Sequence, residues 1–256
     1  THSPFLVDGE HIQRVRPVKE DETGHAQVTW DTWPADRETL FPLQAAAGYA
    51  MVRGLFQHHQ NVLVEGISDY LYLHSLSMLC RAVGLSALSD DVYITPCGGT
   101  KNMGHIAALF LGHRVRPVVL LDSDDAGRAR QTALLKDLYK DRETAVLPLG
   151  EVLGLAECEI EDLVGEQVLL PHLCELLRAE ILLTDADRSA GGVVDWIQAA
   201  ARRLAFELPD GWRPELARRI VVAWSTTAPN DIPGDVLKRA ESLFVALGER
   251  FTRARL

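Results

Sequence analysis

The sequence has few cysteines, no excess of positive charge and no long apolar segment. Its four cysteines, Cys80, Cys97, Cys158 and Cys174, contain no C-x-x-C pair, which favours free thiols over disulfides or a zinc site. The formal net charge of −10 argues against a protein that coats nucleic acid. No segment approaches the roughly 20 apolar residues of a membrane helix, so we expect a cytoplasmic protein without a membrane partner.

The middle of the chain alternates short apolar segments with helical patterns. Strands are predicted at 61–65, 91–96, 116–122 and 143–149, with helices at 68–84, 98–113 and 123–140. Such strands, without internal polar residues, are typical of a parallel sheet covered by helices on both faces. After about residue 166 the strand pattern stops, and helices are predicted at 166–183, 192–207, 214–224 and 234–253. We therefore predict an α/β domain followed by a helical domain.

The first 35 residues have a different pattern. They are predicted to form strands joined by a polar turn that contains glycine, which is typical of a hairpin. A helix is predicted at 36–57. The predicted division is 1–35, 36–165 with the sheet and its leading helix, and 166–256 with helices alone.

Acidic residues recur where the predicted strands end. Glu65 and Asp69 follow the first strand of the sheet, and Asp122 and Asp124 follow the third. Because the carboxyl ends of parallel strands share one edge, these two clusters should converge. A third cluster, "ECEIEDL" at 157–163, follows the fourth strand after a loop, so its position is less constrained.

Converging carboxylates repel one another and need a counter-charge. Oxygen-only ligands suit Mg²⁺ or Mn²⁺, and five or six acidic groups are enough for two ions. Two such ions are the usual arrangement for phosphodiester chemistry. Taken alone, the D-x-D at 122–124 is equally consistent with a helix cap. Its combination with Glu65 and Asp69 favours a metal site.

Two motifs resemble the Toprim domain, the catalytic fold of topoisomerases, bacterial primases and certain nucleases. "VLVEGISD" (62–69) and "VVLLDSDDAG" (118–127) are similar to the glutamate and D-x-D motifs of that fold, and the glycine turn "CGGTKN" (97–102) lies between them. The resemblance covers about 60–165 and implies a Toprim-like parallel sheet.

Within Toprim proteins, the chain resembles the overcoming-lysogenization-defect (OLD) nucleases, in which an ABC-type ATPase precedes a Toprim nuclease. Asp69 and the "EIEDL" cluster match that family's additional metal ligands, and "THSPFLVD" (1–8) resembles the switch-histidine loop of an ABC-type ATPase. The resemblance therefore implies an ATPase domain in the full-length protein as a partner. No Walker A motif is present, so we expect no ATP site here.

The resemblance implies a DNA endonuclease that uses two divalent ions, Mg²⁺ or Mn²⁺. The implied metal ligands are Glu65, Asp69, Asp122 and Asp124, completed by Glu159 or Glu161. Among them, Glu65, Asp122 and Asp124 are the expected catalytic groups. Ser123 is expected to orient a bound water or phosphate.

Basic residues are predicted to contact DNA near these acids. The OLD resemblance implies a cation from the C-terminal helices; Lys238 is the candidate catalytic residue and Arg239 an equal rival by chemistry. A surface lysine without a catalytic role fits the pattern as well. Phosphate contacts are expected from Gly98, Gly99, Lys101 and Arg128, with little sequence specificity because no pattern reads base edges.

Other functions fit parts of the pattern. A primase-like or RNA-processing Toprim enzyme would keep the fold, and a non-catalytic regulatory domain would keep the metal site. A phosphatase of the haloacid-dehalogenase kind would use the D-x-D but leave Glu65 and Asp69 unexplained. We therefore place the nuclease first.

Overall fold

In this computed structural model, the structure describes residues 18–20, 23–28, 60–112, 115–140, 142–189 and 191–254 of the 256-residue chain. The predicted helix at 36–57 and the segment that resembles an ATPase loop lie outside these residues. β1 (Val18–Glu20) pairs antiparallel with β2 (Ala26–Val28), and Gly24 lies between them with a φ of 85°. This agrees with the predicted hairpin.

The next seven elements form a parallel sheet with its connecting helices. They are β3 (Gln60–Val64), α1 (Ile67–Ala82), β4 (Val92–Pro96), α2 (Thr100–Gly112), β5 (Val118–Leu121), α3 (Asp125–Lys136) and β6 (Val146–Pro148). The strand order is β4–β3–β5–β6, and all neighbours are parallel. In register, Val62 lies opposite Ile94 on one side and Val118 on the other. The Toprim-like α/β fold is confirmed.

Alternate residues of the central strand enter two hydrophobic clusters on opposite faces. Leu63 packs with Met103 and Phe110 of α2 in one cluster. Val62 and Val64 pack with α1 and with the C-terminal helices in the other. Apolar side chains on both faces exclude water from the strands, which leaves polar groups to the strand ends.

Six further helices complete the described chain. They are α4 (Leu149–Leu153), α5 (Ile160–Val164), α6 (Glu166–Leu177), α7 (Val193–Arg203), α8 (Trp212–Trp224) and α9 (Gly234–Ala254). Sequence analysis missed α4 and α5, because five residues are too few to show a helical period. Buried residues of α6 to α9 share the hydrophobic cluster of Val62 and Val64. The domain boundary at 165 stays a prediction.

Two expectations from composition concern the described residues. None of the helices in the described ranges is both long and apolar enough to cross a membrane. All four cysteines are free; Cys174 is half-buried and the other three are buried.

Candidate metal and nucleic-acid site

Six acidic side chains from three parts of the chain meet at the carboxyl edge of the sheet, and we call them the acidic rim. β3 and α1 supply two, the β5–α3 connection supplies two, and the start of α5 supplies two. Their charges act on one another: each of the six either raises the pKa of another member of the group or has its own pKa raised by another member. The rim consists of Glu65, Asp69, Asp122, Asp124, Glu159 and Glu161.

Asp69 lies in the first turn of α1 and is buried. The Gly66 backbone N–H donates to its Oδ2 at 3.0 Å, which anchors the carboxylate at the helix start. Burial, and then the charges of Glu161 and Glu65, nevertheless raise the pKa of Asp69 to about 7. The fold therefore holds this carboxylate where a proton or a cation is favoured.

Asp122 lies directly after β5 and is only 8% exposed. Within the described residues its carboxylate accepts no hydrogen bond, although buried carboxylates are normally satisfied. Burial, followed by the charges of Asp69 and Glu161, raises its pKa well above the usual range. The first turn of α3 approaches closely because residue 127 is glycine; a Cβ there would lie 2.0 Å from the Asp122 carbonyl oxygen.

The two other acids of this motif have separate roles. Asp124 caps α3, and its Oδ1 accepts from the Gly127 backbone N–H at 2.7 Å. Its second oxygen has no hydrogen-bond partner among the described residues, so capping and metal binding are compatible. Asp125 is in the first turn of α3, with a fully exposed side chain that pairs with Arg128 at 2.7 Å.

Ser123 connects the β5 end to the third acidic cluster. Its backbone N–H donates to the Cys158 carbonyl at 2.8 Å, and its hydroxyl accepts from the Gly150 backbone N–H at 2.8 Å. The expectation was that this hydroxyl orients a water or phosphate. In the structure the hydroxyl accepts an internal hydrogen bond, and the backbone contact positions the chain just before Glu159. The role toward water or phosphate stays a prediction.

Arg213 joins the rim from the first turn of α8, and sequence analysis missed it. Its Nη1 lies 2.6 Å from Glu159 Oε2, while its Nε and Nη2 donate to the two oxygens of Glu161 at 2.9 and 2.7 Å. Burial still raises the pKa of Glu159 to about 7, although the Arg213 charge opposes the shift. The structure brings Glu159 and Glu161 to the rim together, bound to one guanidinium.

Asp162 positions the third cluster through the backbone. Its Oδ2 accepts from the Glu159 backbone N–H at 2.9 Å, and its Oδ1 accepts from the Val193 N–H at 2.9 Å. Both carboxylate oxygens are thereby used to connect the starts of α5 and α7. This residue supports Glu159 rather than binding a ligand itself.

Tyr72 places a polar atom beside the rim without a hydrogen bond. The side chain is fully buried, and its hydroxyl has no partner among the described residues. Burial, and then the charge of Glu161, raise the pKa of Tyr72 well above its usual range. Its ring packs near Trp224 of α8, with centroids 6.4 Å apart.

The rim's donor set fits a divalent cation. Across the described ranges, no three side chains stand in a ready-made metal-binding group. Arg213 holds two of the glutamates, and Asp124 and Asp69 each accept a backbone hydrogen bond. Nonetheless, the rim offers only oxygen ligands, its charges repel one another, and within the described residues the buried Asp122 carboxylate accepts no hydrogen bond. These features are typical of Mg²⁺ and Mn²⁺ sites.

Lys238 and Arg239 lie on α9, and within the described residues neither side chain contacts a member of the rim. Lys238 is exposed, whereas the apolar residues of the same helix are buried: Val236, Leu237, Ala240, Leu243, Phe244 and Leu247. Arg239 donates to the carbonyls of Leu163 and Val164 and pairs with Asp235, so it caps the end of α5. A catalytic role for Lys238 stays a prediction, while the guanidinium of Arg239 is already used.

A cleft of about 570 Å³ lies next to the rim, between the glycine turn and α3; we call it the glycine-turn cleft. Gly98 and Gly99 have φ values of 69° and 109°, and the Gly99 N–H donates to the Glu65 carbonyl at 2.8 Å. That donor is therefore unavailable to a phosphate. Lys101 and Arg130 line the cleft, and neither has an ion-pair partner among the described residues.

Arg128, which was predicted to bind phosphate, has several internal partners. Its guanidinium donates to the Ser123 and Ala156 carbonyls and pairs with Asp125 and Glu157. These contacts occupy it in joining the start of α3 to the loop before α5. Arg130, two residues later, is the arginine that faces the cleft, because it lies on another side of the helix.

Residues 56–124 match the family model described as overcoming lysogenization defect protein-like, TOPRIM domain. This confirms the predicted resemblance over the segment that holds Glu65, Asp69, Asp122 and Asp124. No curated protein and no solved structure shows significant similarity. Toprim domains generally bind divalent metal ions, so the match supports, at a coarse level, a metal-binding domain of the nuclease and primase kind.

Proposed function

We propose that this protein is a metal-dependent nuclease that hydrolyses phosphodiester bonds in DNA. The observation that carries the proposal is Asp122, a buried carboxylate with no hydrogen bond from the described residues, beside Asp69 and Glu159. A carboxylate in that position is either protonated or bound to a cation. The match to a Toprim domain favours the cation.

Glu65, Asp69, Asp122 and Asp124, with Glu159 or Glu161, would hold one or two Mg²⁺ or Mn²⁺ ions. Such ions, when bound, activate water and offset charge on the phosphate. The chain contributes position: backbone N–H groups anchor Asp69 and Asp124, and Ser123 connects the strand end to the third cluster. The exposed Lys238 is the proposed cation for the phosphate.

The glycine-turn cleft would hold the DNA backbone. Lys101 and Arg130 supply positive charge, and the start of α2 adds its partial positive charge. The Gly99–Glu65 hydrogen bond places this cleft beside the rim. Recognition through phosphates alone gives little sequence specificity. DNA cleavage would be coupled to an ATPase domain of the full-length protein.

The proposal is tested by incubating the purified chain with supercoiled plasmid and Mg²⁺, Mn²⁺ or EDTA. We expect nicked and linear DNA with metal and none with EDTA. Asp122→Asn removes a ligand charge without changing side-chain size, so the cleavage rate should fall by about a thousandfold, on the scale of losing one key catalytic group.

Asp125→Asn is the matched control, because Asp125 belongs to the same motif but its side chain is fully exposed. Its cleavage rate should stay within about twofold of the wild-type rate, in line with the small effect of exposed ion pairs. Intact plasmid in every metal condition would contradict the proposal and favour a non-catalytic metal-binding domain. Primer synthesis from labelled nucleotides would favour a primase-like enzyme.

A further inference from the structure

Arg213 uses all three guanidinium nitrogens on the acidic rim. Nη1 pairs with Glu159 at 2.6 Å, and Nε and Nη2 together bind both oxygens of Glu161. Glu161 is only 1% exposed, so water does not compensate its charge. The same guanidinium charge also lowers the pKa of Asp122 and Asp69, opposing the effect of burial.

We infer that Arg213 is the internal counter-cation of the metal-free rim, and that a divalent ion on this side must displace it from at least one glutamate. The inference rests on the proposed metal-dependent function. Both Glu161 oxygens already accept hydrogen bonds in a bidentate pair, so neither can bind a metal at full strength while the pair remains. Arg213 therefore lowers the affinity of the rim for metal and stabilises the metal-free fold.

The unpaired hydroxyl of Tyr72 is an independent observation that supports a second arrangement of Glu161 and Arg213. Its hydroxyl is fully buried, lies within the charge field of Glu161 and Arg213, and has no partner in the described chain. Buried hydroxyls are normally satisfied, so the arrangement with Arg213 bound leaves one group unpaired.

Arg213 also has a route out of the rim. Its side chain is 33% exposed, unlike that of Glu161, so the guanidinium can reach water after release. It is the second residue of α8, and Gly211 just before the helix has a φ of 73°. A swing of this side chain therefore needs no change in the packed body of the helix.

Calorimetric titration of Mn²⁺ into the full chain tests the inference without measuring cleavage. Arg213→Gln should bind Mn²⁺ about tenfold more tightly than wild type, because one positive charge beside the ligands is removed. Arg218→Gln is the matched control; Arg218 lies on the same helix and pairs with Glu215 away from the rim. It should bind as wild type does.

Equal or weaker binding by Arg213→Gln, with wild-type binding intact, would overturn the inference and leave the proposed function standing. No binding by either protein would contradict both. The unmutated chain provides a second measurement in case the variant does not fold. The Arg213 Nε–H proton, assigned with Arg213→Lys, should be protected from hydrogen exchange in EDTA and lose protection in saturating Mg²⁺. Unchanged protection would overturn the inference.

Discussion

The acidic rim and the glycine-turn cleft are neighbours with opposite charge and opposite compensation. The rim contains buried carboxylates whose charge Arg213 offsets from within the fold. The cleft contains Lys101 and Arg130, which have no acidic partner among the described residues. One hydrogen bond, from the Gly99 N–H to the Glu65 carbonyl, connects the two. Among the described residues, the rim therefore has one internal counter-charge for its six acids, whereas the cleft leaves two cations available to an external anion.

The larger expected effect is the loss of DNA affinity when both cations of the cleft are removed. Lys101→Ala combined with Arg130→Ala should weaken binding of short duplex DNA, measured by fluorescence anisotropy in Ca²⁺, by about tenfold. The slope of log affinity against log salt should shrink by up to about 1.8, the value for two phosphate contacts. Metal affinity should not change, because the rim is intact.

Arg128→Ala is the control for this measurement. It removes the same charge two residues from Arg130, but its guanidinium is occupied by Asp125, Glu157 and two carbonyls. The salt slope should therefore match that of wild type. If Arg128→Ala reduced the slope as much as the double variant did, the cleft would not be the phosphate site.

The smaller expected effect is a pH dependence confined to the rim. Burial raises the pKa of Asp69 from 3.8 to about 7 and that of Glu159 from 4.5 to about 7. At a pH between the ordinary pKa and the raised pKa, the folded chain keeps protons that the unfolded chain has released. These protons stabilise the folded state at low pH, and that stabilisation is lost as the pH rises through 7. In EDTA, the Tm should fall by a few degrees between about pH 5 and about pH 8.

Mg²⁺ should reverse this loss at the higher pH, because the ion replaces the missing protons as counter-charge. Thermal unfolding followed by circular dichroism measures both effects. Asp69→Asn should flatten the pH dependence in EDTA, whereas the double variant of the cleft should leave it unchanged. A Tm that rises from pH 5 to pH 8 in EDTA would contradict the assigned burial of these acids.

The sheet and its strand-end acids could be predicted because the signals are local. Uninterrupted apolar strands predict a parallel sheet, and the position of Glu65 and of Asp122 directly after a strand predicts the edge at which they meet. The bounds of β3 to β6 and of α1 to α3 lie within a few residues of prediction. Loops replace the predicted ends of α3 and β5, and a 3₁₀ turn and the start of α4 replace those of β6.

The counter-charge of the rim could not be predicted in this way. Arg213 lies 52 residues from Glu161, in a helix whose other arginines pair with Glu215. Only packing of α8 against α1, through buried side chains such as Ile220 and Trp224, brings it to the sheet edge. Glu161 is buried and Glu159 is half-buried, so the pair requires a nearby cation. The close spacing of these acids is the one signal of that requirement in the sequence. It does not identify which of the C-terminal arginines supplies the charge.

The different roles of Arg128 and Arg130 could not be predicted from the sequence either, although the two residues are close together. Both follow the D-x-D within two helical turns, and the sequence does not separate an arginine that faces the cleft from one that braces a loop. The loop carbonyl of Ala156 and the side chain of Glu157 decide this, because they accept from Arg128. Such partners come from a loop whose path depends on the folded structure.

The most direct test of the central claim compares Asp122 with Asp125 in metal binding. Mn²⁺ is titrated by calorimetry into wild type, Asp122→Asn and Asp125→Asn, each with an intact circular dichroism spectrum. We predict that Asp122→Asn weakens Mn²⁺ binding by at least about tenfold, the scale of one lost ligand charge, and that Asp125→Asn binds as wild type does. Wild-type affinity in Asp122→Asn would contradict the account.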